Sequence, residues 1–399
     1  MAKRIRNNSD NANINSNDKR KFILLVSLIV VVVIVLLLII FRGSLGSLFG
    51  KKDEVIVNSG TLFQDNFPIE VNSNIEYQMD KMDKELIMLS DTHIYIYSAD
   101  GELLDTRQHD YSNSILKTSG KRALVYESGG KNFKVESKRK TVYTKSMDNN
   151  IVFARINDKG YVAVVTVAEM YACELHVFDE NGNEVYYRGC VDRIEDLCFN
   201  SNNTGCVAVT VSASGGQIVS KVMYLHFDDT NSDWTSESLE TLCLGVEINS
   251  KDEIFLLGDT KCAYYDGTGT QLEAFSYKNQ LISGSIDDGK CAMLFKNEER
   301  RKTTLLLIND YNSTPIEMLV DSNIKKVYTE DSKVYILKND VLETYDYSGK
   351  LLATADVLDI YKDFIKLDNT MLLRSYDKID KIDYISWVGE LLWVDFSYS

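Results

Sequence analysis

Proline is nearly absent from this chain, with Pro68 and Pro315 the only two among 399 residues. Pro-rich linkers are thereby excluded. Basic charge is also scarce: 44 Lys and Arg stand against 59 Asp and Glu, a formal charge of −15. Such a surface repels polyanions, so nucleic acid is not an expected partner. The 22 glycines follow no period, which excludes a collagen. There is no Cys-x-x-Cys, phosphate loop, nucleophile elbow or metalloprotease helix, and Gly267-Thr268-Gly269 lacks the third glycine of a dinucleotide fingerprint. The histidines, His93, His109, His176 and His226, are too scattered for zinc-ligand spacing. What is present is a 44% hydrophobic content and 23 tyrosines, which predict a folded, strand-rich body.

One apolar run stands apart. From Phe22 to Phe41 only Ser27 is not strongly apolar, and at about 1.5 Å per residue those residues cover the roughly 30 Å hydrocarbon core of a bilayer. The segment is expected to cross the membrane as a helix. Lys3, Arg4, Arg6, Lys19, Arg20 and Lys21 precede it, while Arg42, Lys51 and Lys52 follow, which places residues 1–21 in the cytoplasm and the remainder outside. A cleaved signal peptide would have a shorter apolar core, of about 7 to 15 residues. Residues 1–21 hold six basic and two acidic side chains, leaving 38 basic and 57 acidic in the rest. Residues 42–54, rich in Gly and Ser at first, read as a spacer.

Beyond the spacer a strand, a tight turn and another strand recur. The turn is marked by an apolar or aromatic residue, then Asp, Asn or Ser, two variable positions, and Gly or Asn. Copies occur at Tyr97-Ser98 with Gly101, Phe178-Asp179 with Gly182, Phe227-Asp228 with Asn231, Tyr265-Asp266 with Gly269, Ile308-Asn309 with Asn312, and Tyr345-Asp346 with Gly349. An Asp or Asn side chain can bond the backbone two residues on, and the last position takes positive φ, which Gly tolerates freely. A weaker copy, Val135-Glu136 with Arg139, breaks the rule. Its neighbours Lys138, Arg139 and Lys140 read as a solvated hairpin tip. With that copy included, the turns recur about every 41 residues, the period of a β-propeller blade. The expected fold class is all-β, a propeller of eight (alternatively seven) four-stranded blades over residues 55–383, preceded by one transmembrane helix. For eight blades, Val55 to Val71, around Phe67-Pro68-Ile69, would complete the last blade and join the two ends of the ring. The aromatic tail 384–399, with Trp387 and Trp393, would supply closing strands or, alternatively, a partner-binding peptide.

The anchor and the Asp-x-x-Gly hairpins at 179–182, 266–269 and 346–349 give a resemblance to bacterial single-pass proteins with a quinoprotein-like or WD40-like propeller outside the cell. That resemblance implies the fold and the location but no activity. Quinoprotein dehydrogenases carry a tryptophan docking motif in each blade, whereas Trp234 is the single tryptophan before residue 387 here. This departure argues against a bound quinone.

Candidate chemistry is sparse. Asp229, Asn231, Asp233 and Glu240 occupy positions 1, 3, 5 and 12 of a calcium-loop spacing, but Trp234 stands where such loops need Gly. Calcium is the one cofactor this pattern suggests. His176 and His226 precede corresponding turns, so related places on neighbouring blades are expected. Among seven cysteines, Cys198 and Cys206 flank a hairpin and form the favoured disulfide pair. The functional expectation is a binding or scaffolding module whose partner is an envelope protein or a small ligand. The alternative is a hydrolase or lyase with carboxylates converging at the propeller channel.

Overall fold

A computed structural model describes residues 55–63, 66–228, 233–297 and 302–386. The apolar run Phe22 to Phe41 and the tail from residue 387 onward lie outside the described residues. Among the described residues no helix is long and apolar enough to cross a membrane.

The strands form eight sheets in a ring, each built on a four-stranded antiparallel blade. Blades 1 to 8 cover residues 78–108, 114–146, 151–190, 193–235, 243–276, 281–320, 324–356 and 363–383. In blades 1 to 7 all four strands are consecutive. Blade 8 has only three of its own, and Ile69–Glu70 supplies the fourth by pairing Ile69 with Ile379 and Glu70 with Lys378. The segment expected to close the ring therefore does so, and the alternative of seven blades is set aside. Ile56–Asn58 adds a fifth, parallel strand to the rim of blade 7.

Burial explains the order of the strands. Second strands such as Glu85–Leu89, Val162–Thr166 and Ile254–Gly258 are buried at every position. A strand covered on both faces reads as a continuous apolar run rather than an alternation. Fourth strands such as Leu103–Gln108 and Thr141–Ser146 alternate with exposed positions, as the outer rim requires. First strands of successive blades lie beside one another and carry the charged residues of the channel. Among the described residues there are eight apolar clusters, and each draws on two neighbouring blades.

The turn chemistry follows the expected signature where it is complete. Asp179 Oδ1 accepts the amides of Asn181 at 2.9 Å and Asn183 at 2.8 Å, and Gly182 donates to the Asp179 carbonyl with φ of +86°. A Cβ at Gly182 would lie 2.9 Å from the Tyr143 ring of blade 2, so this glycine is required by both conformation and space. Asp266 and Asp346 build the same turn. In blade 6 the turn is displaced by one residue: Asp310, not Asn309, accepts from the Asn312 amide, and Ser313 replaces the glycine. In blade 2, Glu136 is drawn into the core instead, where its carboxylate meets Arg107 at 2.6 Å, Lys134 at 3.2 Å and Thr141 at 3.0 Å. Lys138, Arg139 and Lys140 form an exposed tip. Most of the blade 4 turn, 229–232, lies outside the described residues.

Ile69 is 5% exposed and packs with Phe67, Leu86, Met88 and Ile379, so it joins blade 8 to blade 1. Ile69→Ala is expected to cost about 2–5 kcal/mol in urea unfolding. Val57→Ala, on the 78% exposed rim position of the fifth strand, should stay within about 0.5 kcal/mol. Equal effects at the two sites would contradict the closure.

Candidate functional site

The channel wall is polar because the first strands carry charge, yet its side chains are engaged at the seams. Gln78 accepts the Leu116 amide at 2.9 Å and donates to the Ser114 carbonyl at 2.7 Å, extending blade 1 onto blade 2. Thr118 donates to Asp80 across the same seam. Asp196 takes Arg155 of blade 3 at 2.6 Å and the Val246 amide of blade 5 at 3.1 Å, so one carboxylate ties three blades. Glu247 accepts the Gly289 amide at 3.1 Å, Ser285 accepts the Thr329 amide at 3.0 Å, and Lys326 reaches Asp363 at 2.6 Å and the Phe364 carbonyl at 2.9 Å. Lys81 of blade 1 pairs with Glu330 of blade 7, spanning blade 8. These carboxylates, the ones an enzyme reading would enlist, each face a cation, a hydroxyl or an amide.

Burial sets the electrostatics of this wall. It pushes the Lys81 ammonium below its ordinary value, assisted by Lys366 and opposed by Asp331, Asp80 and Asp287. Lys117 is lowered by burial and then by Arg155. Burial raises the Glu247 and Asp287 carboxyls, with the Gly289 amide pulling Glu247 partly back.

The calcium-loop residues are only partly in view. Asp229 and Asn231 lie outside the described residues. Asp233 accepts the His226 amide at 2.9 Å and pairs with Arg188 of blade 3. Glu240 is exposed, and its carbonyl accepts the Thr260 hydroxyl at 3.2 Å. Between them Trp234–Thr235 forms the fourth strand of blade 4. Calcium at this loop would therefore have to take Asp233 from Arg188. Among the described residues no group of three or more His, Cys, Asp or Glu could hold a metal ion.

His176 and His226 lie on the third strands of blades 3 and 4 but do not correspond: His176 is on the Phe178 side, toward blade 2, and His226 on the Tyr224 side, toward blade 5. They face the fourth strands rather than the channel: His176 bonds Glu184 at 2.7 Å, and His226 lies 3.6 Å from Asp233. Cys198 pairs with Val207 and Cys206 with Phe199, so the two expected disulfide partners point to opposite faces of the sheet.

The two ends of the ring differ in chemistry. First-second and third-fourth connections share one end, where the Asp and Asn turns lie. At the opposite end, on blades 3 to 6, apolar side chains stand in water. Met170 and Val191 are each 87% exposed, and Tyr171, Ile218, Leu244 and Ile282 are also exposed. Leu244 and Ile282 edge a recess of about 470 Å³ whose other walls include Leu257, Asp259, Lys278 and Gly284. Sequence reasoning missed this surface, although Val167, Met170 and Tyr171 in a short inter-strand loop were a signal for it.

Comparison with known proteins places the chain by its propeller. A family model matches residues 64–383. The chain belongs to the Family of unknown function (DUF5711). No curated protein matches it. The fold of this DUF5711 chain is similar to that of BamB from Moraxella catarrhalis, at 13% identity and a TM-score of 0.52, covering 82% of this chain and 97% of that one. It is also similar to Saccharomyces cerevisiae Sqt1, at 8% identity and a TM-score of 0.61, covering 82% and 100% respectively. At such identities the likeness is one of fold.

The raised Glu247 and Asp287 carboxyls give a signed pH effect. A carboxyl whose folded pKa lies above its unfolded value holds its proton more tightly in the folded chain, so stability falls as pH rises through that interval. His109, held below its ordinary value by burial, contributes the opposite slope, so the reading is a difference: the urea midpoint of the unsubstituted chain should fall relative to that of Glu247→Gln as pH rises from about 4 to 7. A slope unchanged in Glu247→Gln would mean that Glu247 is not the titrating group.

Proposed function

We propose that this DUF5711 chain is a membrane-anchored, extracytoplasmic binding or scaffolding module. In this reading residues 22–41 hold it in the membrane, residues 1–21 lie in the cytoplasm, and the propeller recruits an envelope protein outside. The observation that carries the binding role is the exposed apolar surface of blades 3 to 6. Exposed apolar groups collected at one end of a ring, beside a recess, suit a protein partner better than a purely structural role. The location rests on the apolar run and its flanking basic residues.

Two measurements test the reading. Protease added to intact cells should digest the propeller and spare a membrane-embedded fragment, whereas protection of the propeller until lysis would overturn the location. Met170→Asp with Val191→Asp should lower recovery of crosslinked partner from native membranes by about tenfold or more, a loss of roughly 1.4 kcal/mol, without shifting the thermal midpoint. Unchanged recovery of every crosslinked species would remove this surface from the binding role.

A further inference from the structure

Blade 3 ends in an outer hairpin, Cys173–Phe178 against Glu184–Cys190. Counted back from Phe178, which pairs with Glu184, an unbroken ladder would set Cys173 opposite Gly189. A β-bulge between Val177 and Phe178 shifts the register by one, so Cys173 faces Cys190. The same bulge occurs at the same place in the outer hairpins of blades 1, 5 and 7. Directly paired residues share a sheet face with Cα atoms about 4.5–5.5 Å apart, inside the span of about 4.4–6.8 Å that a disulfide bridges. Both side chains lie in the apolar seam between blades 3 and 4, at 1% and 4% exposure. Cys206 shares that seam but sits on the neighbouring blade, opposite Phe199 and Leu225.

The two sulfurs differ in reactivity. The Cys190 thiol lies against the Cys173 sulfur and the Ile194 amide donates to that sulfur at 3.4 Å, while the Cys173 and Cys190 thiols themselves donate to the carbonyls of Asp192 at 3.7 Å and Arg188 at 3.8 Å. The Cys190 thiol, the Ile194 amide and nearby Arg193 outweigh burial and hold Cys173 below its ordinary value. Cys190 is raised by the neighbouring Cys173 sulfur and by burial. The other five thiols, Cys198, Cys206, Cys243, Cys262 and Cys291, are all pushed up by burial. Cys173 is thus the one thiol of the seven whose proton is loosened by its surroundings, and at 1% exposure it meets a disulfide in solution only as the outer hairpin opens.

We propose that Cys173 and Cys190 form a reversible disulfide site that accepts oxidising equivalents from a low-molecular-weight disulfide. The Cys173 thiolate attacks one sulfur of oxidised glutathione, forming a mixed disulfide and releasing one glutathione thiolate. Cys190, giving up its proton, then attacks the Cys173 sulfur and displaces the second glutathione. Two protein thiols and one oxidised glutathione become one protein disulfide and two reduced glutathiones. The bond closes the outer hairpin beside the Met170-Tyr171 loop and Val191, two parts of the exposed apolar surface.

The test uses the full-length chain, folded in detergent, incubated with oxidised glutathione and then capped with a maleimide. Trypsin cuts after Lys159, Arg188 and Arg193, so Cys173 and Cys190 fall in separate peptides, 160–188 and 189–193. Expected is a loss of two of the seven maleimide-reactive thiols on denaturation, with those two peptides joined under non-reducing conditions and released by dithiothreitol. Cys190→Ser should stop at a glutathione adduct on Cys173, while Cys173→Ser should leave Cys190 unmodified. Seven reactive thiols after the treatment, or a crosslink from either peptide to the Cys206 peptide instead, would overturn the proposal. Thermal midpoints of both serine variants confirm that each is folded when treated.

Discussion

The second strand of every blade is apolar on both faces through its middle, and a lone sheet has no means of covering both. Leu86 and Met88 face blade 8 while Ile87 and Leu89 face blade 2, so a single strand belongs to two cores at once. Each blade therefore needs two neighbours, and a chain built this way is stable only as a closed ring. That constraint gives the two-residue strand Ile69–Glu70 its weight. Without it, blade 8 would leave its third strand as an open edge and the seam to blade 1 half covered.

Closure also dictates what the charged residues do. The first strands line the channel, where backbone and side chains meet water on one side only, and polar groups there bridge from one blade to the next. Asp196 makes the point: with Arg155 on one side and the Val246 amide on the other, it acts as a bracket across three blades. Removing either partner would leave a poorly solvated carboxylate, which costs more than the contact itself contributes. A wall assembled from brackets of this kind ties each blade to the next. The groups left over for recognition are accordingly at the end of the ring, where Met170, Val191, Leu244 and Ile282 have no such duty.

Much of this was legible in the sequence, for a definite reason. An Asp-x-x-Gly hairpin fixes its own geometry through bonds between residues at most four apart, so Asp179, Asp266 and Asp346 announced their turns without tertiary information. The recurring turns marked seven blades, and the eighth was read from the Val55 to Val71 segment that closes the ring. What stayed hidden depends on register. Cys198 and Cys206 flank a hairpin, but the loop between them has a parity that turns their side chains to opposite faces. The buried Glu136 was hidden for another reason: it responds to a contact from a distant part of the chain, Arg107 reaching across from blade 1.

The bulge in the outer hairpins joins these strands of argument. It places one more residue on the fourth strand than a flat ladder would hold, and it recurs in blades 1, 2, 3, 5 and 7, including blade 2, where Glu136 stands in place of the turn Asp. In blades 1, 5 and 7 its consequence is only added twist at the rim. In blade 3 the same one-residue shift exchanges Gly189 for Cys190 opposite Cys173, so a device serving local turn geometry decides which sulfur atoms meet at the far end of the hairpin, some five residues away. A substitution that lengthened or shortened the 179–182 turn would therefore act on the cysteine pair without touching either residue. It would do so while leaving the seam itself intact, because the apolar positions that hold blades 3 and 4 together sit mainly on the inner three strands.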